Sequence, residues 1–135
     1  MTEPSTDDPP DVDWPVLRAA ATTAAANAYA PYSKLHVGAA ALTESGDIIT
    51  GVNVENASYG LTFCAEVSLM GAVVTGGHTP VVALAVVDGD GSPLTPCGRC
   101  RQVLIELAGP DVPVNESWTV GDLLPDAFLP QDLPD

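Results

Sequence analysis

The chain has 135 residues, and 46% of them are hydrophobic, which is enough for one compact domain with its own core. Its formal net charge is −14, and its four basic residues are Arg18, Lys34, Arg99 and Arg101. Nucleic-acid binding depends on neutralising phosphates with Lys and Arg side chains, so this composition argues against a nucleic-acid partner and is compatible with a small uncharged substrate.

The N-terminal segment is acidic and rich in proline, without the basic start and apolar stretch of a secretory signal. No apolar run in the sequence reaches the roughly eighteen residues that cross a bilayer. We therefore predict a cytoplasmic protein with no membrane partner. We expect a disordered acidic tail over residues 1–12 and a single domain over residues 13–135.

Helical and strand patterns alternate along the domain, which predicts an α/β sandwich with a central sheet. Asp13 and Pro15 mark the start of the first helix, and the apolar run Val81–Val87 is typical of a strand buried on both faces. The predicted elements, in chain order, are a helix to about Ala28, strands Val37–Thr43 and Ile48–Val54, helix Cys64–Thr75, strand Val81–Val87, a helix from about Gly98 to Ala108, short strands near Val112–Val114 and Trp118–Val120, and a helical turn around Asp122–Phe128.

The three cysteines, Cys64, Cys97 and Cys100, lie at the starts of two predicted helices. An odd number in an intracellular chain argues against a disulfide framework. A helix N-terminus offers unpaired N–H groups and partial positive charge, both of which stabilise a thiolate. Two such ends that face each other can gather three thiolates around one cation.

Three protein ligands are the number expected at a catalytic zinc, whereas a closed structural zinc site normally has four. There is no fourth cysteine, and neither histidine lies next to the cysteine segments. The open position would hold water, whose pKa falls when zinc binds it. Glu66, two positions after Cys64, can stand close to that water as a general base without binding the metal.

At these residues the chain resembles a cytidine deaminase of the small homotetrameric type. The zinc-deaminase signature H-x-E…P-C-x-x-C is present, with Cys64 in place of the histidine. The resemblance extends from about Asp13 to Leu133. The other matching segments are Ala30–Lys34, Gly51–Asn56, Pro96–Gln102 and Leu123–Phe128.

The resemblance implies a three-layer α-β-α sandwich around a mixed central sheet. It also implies one Zn²⁺ per subunit, held by Cys64, Cys97 and Cys100, and a homotetramer with shared active sites. The implied reaction is the hydrolytic deamination of free cytidine and 2′-deoxycytidine to the uridine products and ammonia, as in pyrimidine salvage. Zinc-bound hydroxide would attack C4, and Glu66 would carry the proton of the water to ring N3.

Roles for other residues follow from the same resemblance. Asn53 and Glu55 match residues that bind the ribose hydroxyls, although Asn53 could instead serve the turn after a strand. The backbone of Ala65 would hold the pyrimidine edge together with Glu66. Tyr59 and Phe128 match residues that complete the active site of a neighbouring subunit.

The chain departs from the family pattern at Leu35, at His36, which replaces a frequent Pro, and at Val67. Leu35 stands where relatives commonly have Phe against the pyrimidine, so an apolar wall remains but about 0.5–1.5 kcal/mol of aromatic stacking is lost; ordinary core packing is the alternative role for Leu35. Val67 stands where many relatives have Arg beside the thiolates. Zinc with three thiolates has a net charge of −1, and our hypothesis is that Arg99 or Arg101 helps to balance it.

Two other functions are compatible with the zinc motif. One is a deaminase for a modified cytosine nucleoside, such as blasticidin S deaminase, which also lacks Arg after the glutamate. The other is a non-catalytic protein that uses zinc for stability or assembly. A purely structural zinc site of that kind does not need an acid–base group such as Glu66 beside an open coordination position. A polynucleotide deaminase is disfavoured because basic, aromatic-rich loops are missing.

Overall fold

The computed structural model describes residues 11–134. Residues 1–10, most of the predicted acidic tail, lie outside the described residues, and Val12 packs against the core. The elements in chain order are α1 Trp14–Ala25, β1 Val37–Thr43, β2 Ile48–Val52, α2 Ala65–Thr75, β3 Val81–Asp88, α3 Gly98–Leu107, β4 Pro113–Val114, β5 Trp118–Thr119 and α4 Val120–Leu123, with 3₁₀ turns at Tyr59–Leu61 and Pro130–Asp132.

The five strands form one sheet in the order β2-β1-β3-β4-β5. Strand β1 lies between β2 and β3 and is antiparallel to both. Strands β3 and β4 are parallel, and β4 and β5 are antiparallel. The sheet is therefore mixed, which confirms the predicted fold class in this respect.

Helices cover both faces of the sheet. Successive residues of β1 point to opposite sides of it, so β1 contributes side chains to the core on each face. Ala39 and Ala41 belong to the core cluster that also contains residues of α2 and α3. Ala40 belongs to a second cluster, formed with Leu17 and Ala21 of α1. The predicted three-layer sandwich is thus confirmed, with α1 on one side and α2 and α3 on the other.

Helix α1 begins as the sequence predicts. The Asp13 carboxylate accepts a hydrogen bond from the Val16 amide at 3.2 Å, and Pro15 lies in the first turn. Gly38 allows α1 to pack closely on β1, because a Cβ at this position would clash with the carbonyl oxygen of Ala21. The small side chains of the helix therefore bring its backbone against the sheet.

Two predicted boundaries were too long. Helix α1 ends at Ala25 because residues 26–28 make tighter turn bonds, including Ala28 N to Ala25 O at 3.1 Å. Strand β2 ends at Val52, since Val54 pairs with Phe63 and no longer with β1. The change of partner at Val54 depends on the loop at Phe63, which the periodicity of the sequence cannot reveal.

The C-terminal prediction also needs a correction. Residue 120 does not end a strand but begins α4, which stops at Leu123 and so covers little of the predicted turn at 122–128. The Thr119 hydroxyl accepts from the Asp122 amide and the Asp122 carboxylate accepts from the Thr119 amide, which is a capping box. Within residues 11–134, no helix has the length and apolar character needed to cross a bilayer.

Candidate active site

The three cysteines meet in space although 33 residues separate the first two in sequence. The Sγ atoms of Cys64 and Cys97 are 3.8 Å apart, and those of Cys97 and Cys100 are 3.4 Å apart. All three sulfurs lie within 4.8 Å of one another. Each cysteine is a free thiol.

Helix geometry explains why the thiols converge. Cys64 is the N-cap of α2 and Cys97 is the N-cap of α3, while Cys100 lies in the first turn of α3. Two helix N-termini therefore point at the same place, where their amide groups favour negative charge. Burial raises the pKa of the Cys100 thiol. Burial also acts to raise the pKa of Cys97, but hydrogen bonds from Cys100 outweigh it and hold that pKa below its usual value.

This donor set fits Zn²⁺. Three sulfurs bound tetrahedrally at about 2.3 Å from one zinc would lie about 3.8 Å apart, close to the separations of these thiols. Thiolates are soft ligands that select zinc over magnesium or calcium. Three protein ligands leave a fourth position for water or substrate, as in catalytic rather than structural zinc sites.

Glu66 lies in the first turn of α2, next to the cluster and almost fully buried. Burial raises the pKa of its carboxyl group, and contact with the Cys100 thiol partly offsets this shift. A carboxyl group with a raised pKa exchanges protons more readily near neutral pH than an exposed glutamate. The site therefore combines soft metal ligands with an acid–base group.

A cavity of about 410 Å³ opens onto Glu66 and the cysteines. Its size is within the range of small-molecule sites, about 300–1,000 Å³. It is lined by residues from five separate parts of the chain: Ser33, Leu35, Val37, Asn53, Glu55, Thr62, Cys64, Ala65, Glu66, Val86, Leu94, Thr95 and Cys97.

Asn53 is buried in the wall of this cavity, where its amide group joins two backbone segments. Its Oδ1 accepts from the Val37 amide at 2.9 Å, and its Nδ2 donates to the Leu35 carbonyl at 2.8 Å. An asparagine amide has a second N–H and a further oxygen lone pair. Asn53 therefore supports the Leu35 segment and still has hydrogen-bonding capacity for a ligand.

Glu55 holds the adjacent loop. Its Oε1 accepts from the amides of Tyr32 at 3.0 Å and Ser33 at 3.1 Å, and its Oε2 accepts from the Ser33 hydroxyl. Hydrogen bonds from Ser33 hold the pKa of Glu55 below its usual value. Glu55 therefore presents an ionised carboxylate to the cavity at neutral pH. Asn56 instead accepts from the Ser58 amide at 2.8 Å, as a turn residue does.

The two arginines of the ligand segment make different contacts. Arg99 Nη2 donates to the carbonyl of Thr62 at 2.8 Å and lies 3.5 Å from the Cys64 sulfur. Arg101 donates from Nε to the Pro96 carbonyl at 2.7 Å and from Nη1 to the Leu123 carbonyl at 2.8 Å. Arg99 thus brings its charge to a thiol, and Arg101 brings its charge to backbone carbonyls.

Tyr59 and Phe128 lie outside the main cavity. Tyr59 is 78% exposed and lines a neighbouring recess that Glu55 also lines. Phe128 is 58% exposed, and its carbonyl accepts from Gln102 Nε2 at 2.7 Å. Within this chain both aromatic residues are therefore largely exposed and contribute nothing to the lining of the main cavity.

Some cavity residues received no role from the sequence, namely Ser33, Val37, Thr62, Val86, Leu94 and Thr95. Some of them have a local signal, since Thr62 precedes Cys64 by two positions and Leu94 and Thr95 precede Pro96. Val86 lies inside the predicted buried strand. Nothing in its own sequence neighbourhood connects it with the metal-binding segments.

Comparison with known proteins agrees with this geometry. The family described as the cytidine and deoxycytidylate deaminase zinc-binding region matches residues 16–116. A cytidine deaminase from Mycobacterium tuberculosis is 56% identical over 128 residues, which cover 93% of this chain and 96% of that protein. One from Halalkalibacterium halodurans is 43% identical over 132 residues, covering 92% of this chain and all of that protein.

The fold matches as well. The crystal structure of the M. tuberculosis cytidine deaminase superposes with a TM-score of 0.85 at 55% identity, covering 87% of this chain and 98% of that one. The matched region includes both cysteine segments and Glu66. In sequence, fold and metal-binding residues alike, the chain belongs to the zinc-dependent cytidine deaminases.

Proposed function

We propose that this protein hydrolyses free cytidine and 2′-deoxycytidine to uridine and 2′-deoxyuridine, with release of ammonia. The observation that carries the proposal is the position of Glu66, buried at a cavity of about 410 Å³ beside three convergent thiols. A site with only a structural metal has no use for a buried acid–base group at an open cavity.

Glu66 is the proton shuttle in this mechanism. When held by Cys64, Cys97 and Cys100, Zn²⁺ would supply a water molecule activated for attack at neutral pH. Glu66 takes one proton from the water that attacks C4 and delivers it to ring N3. It then carries the second proton of that water from the new C4 hydroxyl to the amino group, so that the C4–N bond breaks, ammonia leaves and the C4 carbonyl forms. Burial raises the pKa of Glu66, which suits a group that must both accept and return a proton.

The sugar is recognised by Asn53 and Glu55. Both line the cavity, and each retains hydrogen-bonding capacity after its bonds to the protein. An ionised carboxylate accepts from sugar hydroxyls, and a site built to bond hydroxyls discriminates strongly against a free base that lacks them. Recognition through the 3′ and 5′ positions would accept both ribo- and deoxyribonucleosides.

The pyrimidine lies between Leu35 and the start of α2. Leu35 lines the cavity and is half exposed, so it offers an apolar surface for the ring. Ala65 is buried in the cavity wall next to Glu66, where its backbone can bond the edge of the base.

The active unit in this proposal is a homotetramer. Tyr59 and Phe128 have no role within their own subunit, yet both are large and exposed, as expected of side chains that a second copy covers. Each would complete the site of a neighbour. We place the enzyme in the cytoplasm, where it would act in pyrimidine salvage.

The first experiment is an ultraviolet assay of cytidine loss, with ammonia release, on protein of known zinc content and known mass in solution. We expect turnover by the wild type and loss of turnover in Glu66→Gln, with zinc retained. Glu106→Gln, a change at an exposed glutamate of α3, is the matched control and should remain active.

The alternatives predict different results. A zinc-loaded tetramer that leaves cytidine and deoxycytidine intact but deaminates a modified cytosine nucleoside would contradict the proposed substrate while preserving the chemistry. Full activity in Glu66→Gln would contradict the mechanism. A zinc-loaded protein inactive on every cytosine nucleoside would favour a non-catalytic role for the metal.

A further inference from the structure

Asn115 is a buried polar residue directly after β4, far in sequence from the predicted sugar-binding residues. It is 6% exposed, and its backbone has a φ of +51°. Its Oδ1 accepts from the Val86 amide at 2.8 Å, and its Nδ2 donates to the Leu94 carbonyl at 2.9 Å. The two polar ends of one side chain thus join two backbone segments.

The side chain fills a gap at the edge of β3. Strand β4 pairs with β3 at Leu84 and Val114, and the Asn115 amide then donates to the Leu84 carbonyl at 2.9 Å. One step further along β3, the Leu94 amide donates to the Val86 carbonyl at 2.9 Å. The Asn115 side chain bonds the Val86 amide between these two points, so it replaces one peptide group in the sheet ladder.

The segment held in this way leads into the metal-binding residues. Leu94 and Thr95 line the cavity, as does Val86, and Pro96 immediately precedes the ligand Cys97. Residues 93–96 belong to no helix or strand of the sheet, and a few contacts hold them in place. These are the Leu94 bonds to Val86 and Asn115, the bridge between Pro93 and Val87, and the Arg101 bond to the Pro96 carbonyl. The carbonyl of Leu94 is only three residues from the Cys97 thiol.

We propose that Asn115 is a positioning residue for the zinc site, whose side-chain amide fixes residues 93–96 on β3 and thereby places Cys97 opposite Cys64. Without that amide, the Val86 amide and the Leu94 carbonyl lose their partners in a buried location, which is costly. The segment would shift towards other partners, and Cys97 would hold the metal less tightly. Of the two effects expected, only a change in cytidine turnover rests on the proposed function, and a change in zinc release does not.

The most informative variant is Asn115→Gly. Glycine adopts a φ of +51° without strain, so the variant removes the amide and leaves the backbone conformation available. Asn115→Asp keeps an acceptor for the Val86 amide but removes the donor to the Leu94 carbonyl. Glu116→Gly is the matched control, since Glu116 is exposed, also has a positive φ of 71°, and has no hydrogen bond to residues 93–96.

The measurement is the rate at which zinc-loaded protein releases its metal to a colorimetric chelator, alongside kcat/KM for cytidine. We expect Asn115→Gly to release zinc about tenfold faster than the wild type, as follows from two unpaired buried groups. Asn115→Asp should also release zinc faster, and Glu116→Gly should match the wild type. Asn115→Asp carries the test if Asn115→Gly does not fold.

A general loss of stability must be separated from positioning. Leu17→Ala removes a buried side chain on the opposite face of the sheet and serves as the stability control. Equal zinc release by Asn115→Gly, Asn115→Asp and the wild type would overturn the proposal, as would equally fast release by Leu17→Ala. If the wild type turns over no cytosine nucleoside, the proposed function fails while zinc release still decides the role of Asn115.

Discussion

The Arg99 guanidinium contacts the Cys64 sulfur at 3.5 Å, across the gap between the ligand segment of α3 and the N-cap of α2. A hydrogen bond of 2.8 Å to the Thr62 carbonyl holds it there. Residue 67, directly after Glu66, is Val in this chain and supplies no positive charge. The geometry thus supports Arg99 as the cation that offsets the excess negative charge of three thiolates.

Removal of Arg99 should therefore weaken the zinc site. We expect Arg99→Ala to lower kcat/KM for cytidine about tenfold, the lower end of the effects seen for groups that bond to metal ligands. Arg99→Lys should recover part of the loss because it restores the charge. Steady-state kinetics and competitive zinc titration measure both effects.

Arg18→Ala is the control for net charge, since Arg18 makes only an exposed pair with Glu116 at 3.5 Å. Arg101→Ala should mainly lower the melting temperature, because Arg101 bonds the carbonyls of Pro96 and Leu123. Unchanged zinc affinity and turnover in both Arg99→Ala and Arg101→Ala would contradict the charge-balance hypothesis.

Leu35→Phe should strengthen nucleoside binding. Leu35 lines the cavity and is half exposed, so a phenyl ring there has room to stack on the pyrimidine. The added stacking of about 0.5–1.5 kcal/mol corresponds to a fall in KM of roughly twofold to tenfold. Steady-state KM for cytidine is the measurement, with Leu107→Phe, outside the cavity, as control. A KM that stays the same or rises would show that Leu35 does not face the base.

Ser33→Ala should make the melting temperature of the protein depend less on pH in the acid range. Hydrogen bonds from Ser33 hold the pKa of Glu55 below its value in the unfolded chain, about 4.3. Their contribution is therefore present above that unfolded value and is lost as the pH falls through the folded one. We expect the difference in melting temperature between wild type and Ser33→Ala to shrink as the pH falls below the unfolded value of about 4.3. The Leu35 amide also donates to the Ser33 hydroxyl at 3.0 Å, so a part of the difference that does not depend on pH should remain.

A double-mutant cycle tests the assignment of this effect. In a Glu55→Gln background the carboxylate is absent, so Ser33→Ala should no longer change the pH dependence. The effect would belong to another group if Ser33→Ala changed the melting temperature by the same amount at acid and at neutral pH. The same conclusion would follow if Ser33→Ala still changed the pH dependence of the melting temperature in the Glu55→Gln background.

Gly51→Ala should destabilise the fold and the site together. A Cβ at Gly51 in β2 would lie 2.7 Å from both the Ala65 carbonyl oxygen and the Leu69 Cα, so α2 would have to move. Overpacking of this kind costs about 1–3 kcal/mol, and the helix that moves carries Glu66. Thermal melting and cytidine turnover should both fall.

Gly71→Ala, in the same helix, is the matched control. A Cβ at Gly71 meets no atom within 4 Å, and alanine favours a helix by up to about 1 kcal/mol over glycine. The melting temperature should therefore rise slightly. If Gly51→Ala were as stable and active as Gly71→Ala, close packing of α2 on β2 would not be needed for the site.

Most of the fold was predictable because its signals are local. The Asp13 cap, the alternating faces of β1 and the apolar β3 each depend on residues a few positions apart. The ends of α1 and β2 were not predictable. Val54 leaves β1 to pair with Phe63, and Tyr29 pairs with Val54, so these boundaries depend on contacts between distant segments.

The sequence by itself determined the chemistry of the site: two helix starts that carry three cysteines, and a glutamate two positions after the first of them. Only the tertiary structure decided which arginine faces a thiol. Arg99 and Arg101 are two positions apart, so they project about 200° apart around α3, and the packing of that helix directs one to Cys64 and the other to Leu123. The tertiary structure likewise decided the proposed role of Asn115. The partners of its side chain, Val86 and Leu94, lie far from it in sequence and meet it only in the folded chain.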